Sequence, residues 1–347
     1  MITNKNLCLD KALEMSRHNA TIFDAFVKAD SVINNPDYKK IMCSLSGGSD
    51  SDIMLDVLYR VDKDNKVTYV YFDTGLEYDI TKQHIKYLEE KYGITIETYK
   101  PKMPIPYVCK QYGQPFLSKF VSEQIERLQS FGFQWEDEPY DVLMKKYPSG
   151  MSSALKWWCN EYTTNGKMGK YCIGKIKYLK EFLMDSPPQY PISGKCCKYA
   201  KKDLSKELTD SENFDVVCMG LRKAEGGIRS MIYENCFTPV NSDGFASYRP
   251  IFWFSDKDKV EYKELFSVVY SDLYEVYGFK RTGCAGCPYN RKYDHEIMII
   301  RDFEPRLYKA CNFVFGDSYK YQTDFKRFVY EQEKLKKQNK SLKNNKQ

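Results

Sequence analysis

The chain is 347 residues long and 42% hydrophobic, with 29 tyrosines and 20 phenylalanines. That composition excludes an intrinsically disordered protein and suffices for one large domain with an appendage, or for two domains. Its 53 basic and 47 acidic side chains leave a net charge of +6, compatible with polyanionic ligands or nucleic acid but too mild to establish either. No apolar run approaches the ~20 residues that a membrane-spanning helix requires. The opening MITNKNLCLDKALEMSRHNA reads as an amphipathic helix rather than a secretory signal, so a cytoplasmic protein with no membrane partner is expected.

In chain order, residues 1–38 predict one helix, about 9–28, and a linker rich in Asn, Asp and Pro. Ile41–Leu45 is a strand candidate that runs into the small-residue turn Ser46-Gly47-Gly48-Ser49-Asp50-Ser51, and an apolar-periodic helix over 52–61 leaves it. Short side chains at such a join let successive backbone N–H groups point inward, and the helix N-terminus adds unsatisfied donors and partial positive charge. A phosphate or pyrophosphate suits that turn; a tight βα turn without a ligand is the plainer alternative. The next strand, 66–73, ends in Asp73-Thr74-Gly75-Leu76-Glu77. Asp79 is placed to cap a helix that Gly93 closes, and residues 95–99 form a third strand. Strand–helix alternation with buried, β-rich strands predicts an α/β fold, a doubly wound and mostly parallel sheet with ligands beyond the carboxyl ends of its strands. Asp73 lies there, either as a turn residue or as a carboxylate for Mg²⁺ or a ribose hydroxyl.

Residues 101–194 read as a helical or irregular insertion, with Pro101, Pro104 and Pro106 breaking its start and helices expected at about 116–130 and 172–184. Trp157 and Trp158 could stack a base, though paired tryptophans in a helix are more often core. Strand 214–221 returns to the sheet and delivers Arg222 and Arg229, whose guanidinium forks match phosphate or sulfate better than a merely solvated role requires. Ser255 with Asp258 forms a capping pattern that opens a helix over 257–276. The resulting organisation is an N-terminal helix and linker (1–38), an α/β domain (39–255) carrying the insertion (101–194), a helical region (256–330) and a basic tail (331–347).

Twelve cysteines without an export signal favour metal or redox use over a disulfide scaffold. Cys8, Cys43, Cys109, Cys159, Cys218, Cys236 and Cys311 read as packing or isolated thiols. Cys196-Cys197 in GKCCKYAKKD and the later knuckle Cys284-x-x-Cys287 in RTGCAGCPYNR can together supply four thiolates. An iron–sulfur cluster and a tetrathiolate zinc site both fit that pattern, with Cys159 or Cys172 able to replace a member of the adjacent pair.

The Ser46–Ser51 stretch resembles the S-G-G-x-D-S loop of the adenine-nucleotide α-hydrolase-like, or PP-loop, enzymes, and is neither a Walker loop nor a Rossmann fingerprint. Asp73-Thr74-Gly75, the segment from Arg222 to Arg229 and residues 249–262 are similar to segments of that superfamily's 3′-phosphoadenylylsulfate (PAPS) reductase branch. The cysteine spacing resembles the [4Fe–4S] signature of its iron–sulfur members. The resemblance implies an adenine nucleotide, ATP or a sulfonucleotide, held by Ser46, Gly47, Gly48, Ser49, Asp50, Ser51, Asp73, Thr74, Gly75, Arg222 and Arg229. It also implies Mg²⁺, catalytic roles for Asp50, Arg222 and Arg229, and a cluster on Cys196, Cys197, Cys284 and Cys287. The reductases carry a further cysteine in a C-terminal Glu-Cys-Gly-x-His segment; here no cysteine follows Cys311. The expectation is therefore an ATP-dependent, AMP- and pyrophosphate-forming enzyme of sulfur chemistry, with DNA or tRNA as candidate acceptor and a sulfur donor or modification-system protein as candidate partner. Sulfonucleotide reduction is the second reading, and a non-catalytic nucleotide- or nucleic-acid-binding module the third.

Overall fold

A computed structural model describes residues 5–226, 232–240, 244–281 and 283–344. The chain divides into two compact units, one built from residues 1–102 and 201–284, the other from 103–200 and 285–347.

The first unit is organised by a six-stranded sheet. Its strands are β1 (Ile41–Leu45), β2 (Val67–Phe72), β3 (Ile96–Tyr99), β4 (Val216–Met219), β5 (Phe237–Thr238) and β6 (Ala246–Tyr248), in the order β3-β2-β1-β4-β6-β5. All neighbours are parallel except β5 against β6, so the expected sheet forms, with an antiparallel strand added at one edge. β1 is its centre: Ile41 pairs with Val67 on one side and Val216 on the other. Ile41, Met42 and Cys43 are fully buried, as strands covered on both faces must be.

Helices α1 (Lys5–Met15) and α2 (Ala20–Ile33) replace the single helix expected near 9–28. Asn19 causes the break. Its side chain accepts the N–H groups of Thr21 and Ile22 and so starts a new helix, as a short amide at an N-cap does. Helix α3 (Ser49–Val61) buries Ile53, Met54, Leu55, Val57, Leu58 and Val61. Helix α4 (Asp79–Tyr92) follows β2 and ends at Gly93 in the left-handed conformation, as expected, although Asp79 occupies its first turn and Tyr78 its cap. Residues Asp256–Phe266 form the helix expected after Ser255, and the reciprocal Ser255–Asp258 box is present. It stops at Ser267 in the left-handed conformation (φ 52°), well short of 276.

The second unit is helical. Lys119–Ser130, Tyr140–Lys146, Ser152–Trp158 and Leu179–Asp185 enclose an aromatic core of Phe116, Phe133, Trp157, Trp158 and Phe182, to which Tyr321 and Phe325 contribute. The helix expected over 172–184 is broken: Ile173–Lys175 is a single 3₁₀ turn, and Tyr178 at φ 62° interrupts the chain before Leu179. The segment read as a basic tail continues a helix running from Pro305 to Asn344. Among the described residues no helix is long and apolar enough to cross a membrane.

Candidate nucleotide site

The turn after β1 is braced from within. The Ser51 hydroxyl accepts the Gly48 N–H at 3.1 Å and donates to the Gly48 carbonyl at 2.7 Å. The Asp52 N–H makes the first helical bond, to Gly48 O at 3.0 Å. The N–H groups of Ser49, Asp50 and Ser51, opening a thirteen-residue helix, therefore have no acceptor within it. Two glycines permit the path. Gly47 sits at φ +65°, and a Cβ there would meet Thr81 Cγ2 at 2.6 Å; one on Gly220, just past β4, would meet the Ser51 backbone at 3.0 Å. The chain leaving β4 thus lies directly against the start of α3. This is where the strand order turns back from β1, the position at which open α/β sheets place ligands.

Asp50 is the electrostatic centre of the turn. Arg222 Nε donates to Asp50 Oδ1 at 3.1 Å, and Lys259 Nζ lies 2.6 Å from the same oxygen. Burial alone would push the Asp50 carboxyl up, but hydrogen bonds from Glu225 and Lys259 and the charges of Lys259 and Arg222 outweigh it and hold the group below its usual range. Glu225 is pushed the other way, by desolvation of its carboxyl and by Asp50 beside it. Arg222 is nearly buried and already committed: Nη1 also donates to Asp256 at 2.9 Å and to the Phe254 carbonyl at 3.3 Å. Behind the turn, Asp52 and His84, both buried, meet at 2.9 Å.

The Asp73-Thr74-Gly75 segment lies beyond β2 as expected, but its polar groups mostly serve the turn. Asp73 Oδ1 accepts the Gly75 N–H at 3.0 Å, and the Thr74 hydroxyl donates to Glu77. Asp73 keeps a distant ion pair with Lys82, at 4.0 Å. Burial raises the Glu77 carboxyl, against the opposing Lys201 charge and the Thr74 hydrogen bonds. Arg229 lies outside the described residues. The sequence reading assigns no role to Lys259, Asp52 or His84, and takes Glu225 only as part of the segment from Arg222 to Arg229. Lys259 had a usable signal, since a lysine in the opening turn of Asp256–Phe266 opposes the helix dipole and needs a local anion.

Of the four cysteines expected to hold a metal, Cys284 belongs to the first unit, its sulfur 4.0 Å from Thr74 Oγ1. Cys196, Cys197 and Cys287 belong to the second. There the Cys196 thiol is pushed up chiefly by a hydrogen bond with Cys109, partly offset by one with Cys197, with burial and the nearby Cys287 adding to the rise. Cys109, read from sequence as packing, is thus a neighbour of this thiol group. The backbone at Gly286 is close-packed: the Tyr319 hydroxyl donates to its carbonyl at 2.5 Å, and a Cβ there would meet Cys311 Sγ at 3.0 Å. The donors have the right chemistry for thiophilic metals. Among the described residues, however, no group of three or more His, Cys, Asp or Glu side chains is arranged to hold an ion. The same holds for Mg²⁺, which ordinarily binds on substrate phosphates with only one or two carboxylates.

Cys159, Cys172 and Cys311 are poorly suited to act as nucleophiles. Burial pushes Cys159 to about 11 and Cys311 to about 12, and the thiolate is the reactive form. Cys172 is buried with its sulfur 3.0 Å from the Tyr162 carbonyl. Trp157 and Trp158 are core residues, 1% and 0% exposed, and Trp158 Nε1 donates to the Glu136 carbonyl at 2.9 Å. They are closed to a stacked base.

Residues 40–290 match the family model of the phosphoadenosine phosphosulfate reductase domain. An uncharacterised protein of Methanocaldococcus jannaschii is 23% identical over 295 residues, which cover 85% of this chain and 50% of that protein. The chain therefore spans about half the length of this curated relative. Similar solved structures include a PAPS reductase from Candida auris in complex with phosphate, at 14% identity and TM-score 0.41, covering 80% of this chain and 93% of that one. An FMN adenylyltransferase from Candida glabrata with FMN and an ATP analogue matches at 11% identity and TM-score 0.42, covering 81% and 72%. The U34-tRNA thiolase of Methanococcus maripaludis with its [4Fe–4S] cluster matches at 13% identity and TM-score 0.37, covering 87% and 79%.

Proposed function

Because the chain belongs to the phosphoadenosine phosphosulfate reductase domain family, we propose that it is a PP-loop enzyme that splits ATP between the α- and β-phosphates and uses the activation for sulfur transfer. The observation that carries this reading is the Ser46–Ser51 turn, with its free helix-end donors and the Asp50–Arg222 contact at 3.1 Å. The β- and γ-phosphates would lie against the N–H groups of Ser49, Asp50 and Ser51. An acceptor oxygen would attack the α-phosphorus, the bond to the bridging oxygen would break, and pyrophosphate would leave with the electron pair. Donors already aimed at the leaving group gain strength as its charge grows. Arg222, fixed by three acceptors, supplies a cation that need not reorganise. Arg229 is assigned the neighbouring phosphate or the acceptor on sequence grounds, and Mg²⁺ would come bound to the phosphates.

DNA or tRNA is the proposed acceptor, activated at an oxygen that sulfur from a donor protein then displaces together with AMP. Sulfonucleotide reduction is the competing reading. The test is one panel: protein with ATP, PAPS or adenylylsulfate, with and without DNA or tRNA, assayed for pyrophosphate and for sulfite. Pyrophosphate release stimulated by nucleic acid supports the proposal. Thiol-dependent sulfite release with no pyrophosphate replaces it with reduction, and nucleotide binding with neither product leaves a binding module.

An iron–sulfur cluster on Cys196, Cys197, Cys284 and Cys287 is a separate proposal, carried by their spacing in the sequence. Protein purified without oxygen is expected to be brown, with about four irons and four sulfides per chain, and replacement of Cys197 by serine should lower both. Stoichiometric zinc without labile sulfide would put a zinc site in its place.

A further inference from the structure

Among the described residues the cation nearest the head of the turn is Lys259, and its contacts differ in kind from those of Arg222. Its Nζ lies 2.7 Å from Ser49 Oγ and 2.6 Å from Asp50 Oδ1, beside the first residues of α3, where the backbone donors have no helical acceptor. An ammonium carries three donors on a flexible four-carbon stem, whereas a guanidinium is a rigid fork. Arg222 spends that fork on Asp50, Asp256 and the Phe254 carbonyl and cannot turn away without stranding three acceptors. Lys259 can. Lys259 lines a cavity with Asp256, Lys263 and Tyr270, and its ammonium stands 5.6 Å from the centre of the Tyr270 ring, so there is room to move and an aromatic face to move along. If it leaves, Asp50 keeps Arg222.

We infer that Lys259 is a phosphate-binding residue that exchanges partners, holding Asp50 and Ser49 before nucleotide binds and moving its ammonium onto the triphosphate when it arrives. The inference rests on the nucleotide reading above. It adds that one cation is kept in place by the loop's own carboxylate until a stronger anion replaces it. A Lys–phosphate contact is charge-assisted, and losing one commonly costs about tenfold or more in affinity.

The test is calorimetric titration of a non-hydrolysable ATP analogue and of adenosine into the wild-type chain, Lys259→Met, Lys259→Arg and the control Lys257→Met, whose exposed lysine lies two residues away on the same helix. Lys259→Met is expected to weaken the analogue about tenfold or more while leaving adenosine binding unchanged. Lys259→Arg should recover part of the loss, and Lys257→Met should match wild type. Equal affinity of wild type and Lys259→Met for the analogue would overturn the exchange alone. Parallel loss of analogue and adenosine would reduce Lys259 to a structural brace, and a wild-type chain that binds no analogue would overturn the nucleotide reading itself. Should Lys259→Met not fold, Lys259→Gln provides the same comparison.

Discussion

Asp50→Ala is expected to lower ATP-dependent pyrophosphate release by about 100-fold or more, with the fold retained. Asp50 sets the electrostatics of the turn, since Arg222 Nε and Lys259 Nζ converge on one of its oxygens. Without it, two closely placed cations lose their shared anion and repel each other, and the site is no longer organised for the phosphates. Misplacing preorganised charge commonly costs two to three orders of magnitude in rate, about 3–4 kcal/mol. The backbone path should survive, because the Ser51–Gly48 hydrogen bonds and the Arg222 contacts to Asp256 and Phe254 do not involve Asp50. Circular dichroism and thermal unfolding check the fold, and a pyrophosphate assay checks the rate. A variant as active as its parent would remove Asp50 from the mechanism.

Trp158→Ala is expected to have the largest effect on stability. The indole is fully buried, makes edge contacts with Phe133 and Trp135, and satisfies its N–H on the Glu136 carbonyl. Truncation would leave a cavity the size of a bicyclic ring and orphan that carbonyl. Large aromatic-to-alanine changes in cores cost about 3–5 kcal/mol. Hydrogen exchange should localise the loss to residues 116–186 of the second unit, with affinity for ATP little changed. Weakened nucleic-acid binding with no loss of protection would instead make Trp158 a stacking residue.

The parts of this molecule that sequence exposes most readily are those where local chemistry and fold agree. β1 and α3 are apolar on either side of a turn that only small residues allow, and Gly93 closes α4 in the conformation glycine tolerates best. Failures fall where a single residue overrides periodicity. Asn19 divides one expected helix into two, and Tyr178, at positive φ, interrupts another. Neither is visible in a pattern of apolar spacing. In the site, the turn could be read because its residues are contiguous. Lys259 could not be paired with Asp50 from sequence because 208 residues separate them, and only the return of the chain through β4 to the helix Asp256–Phe266 brings them together. The Ser255–Asp258 box was legible as structure, yet its neighbour Lys259 is the residue that reaches the turn.

The decisive observation is which bond of ATP is broken. ATP labelled on its α-phosphate in one sample and its γ-phosphate in another, incubated with the protein and candidate acceptors, identifies it. Cleavage between the α- and β-phosphates places α-label in AMP or an adenylylated acceptor and γ-label in pyrophosphate, both lost in Asp50→Ala. Recovery of α-label in ADP and γ-label in inorganic phosphate would contradict it.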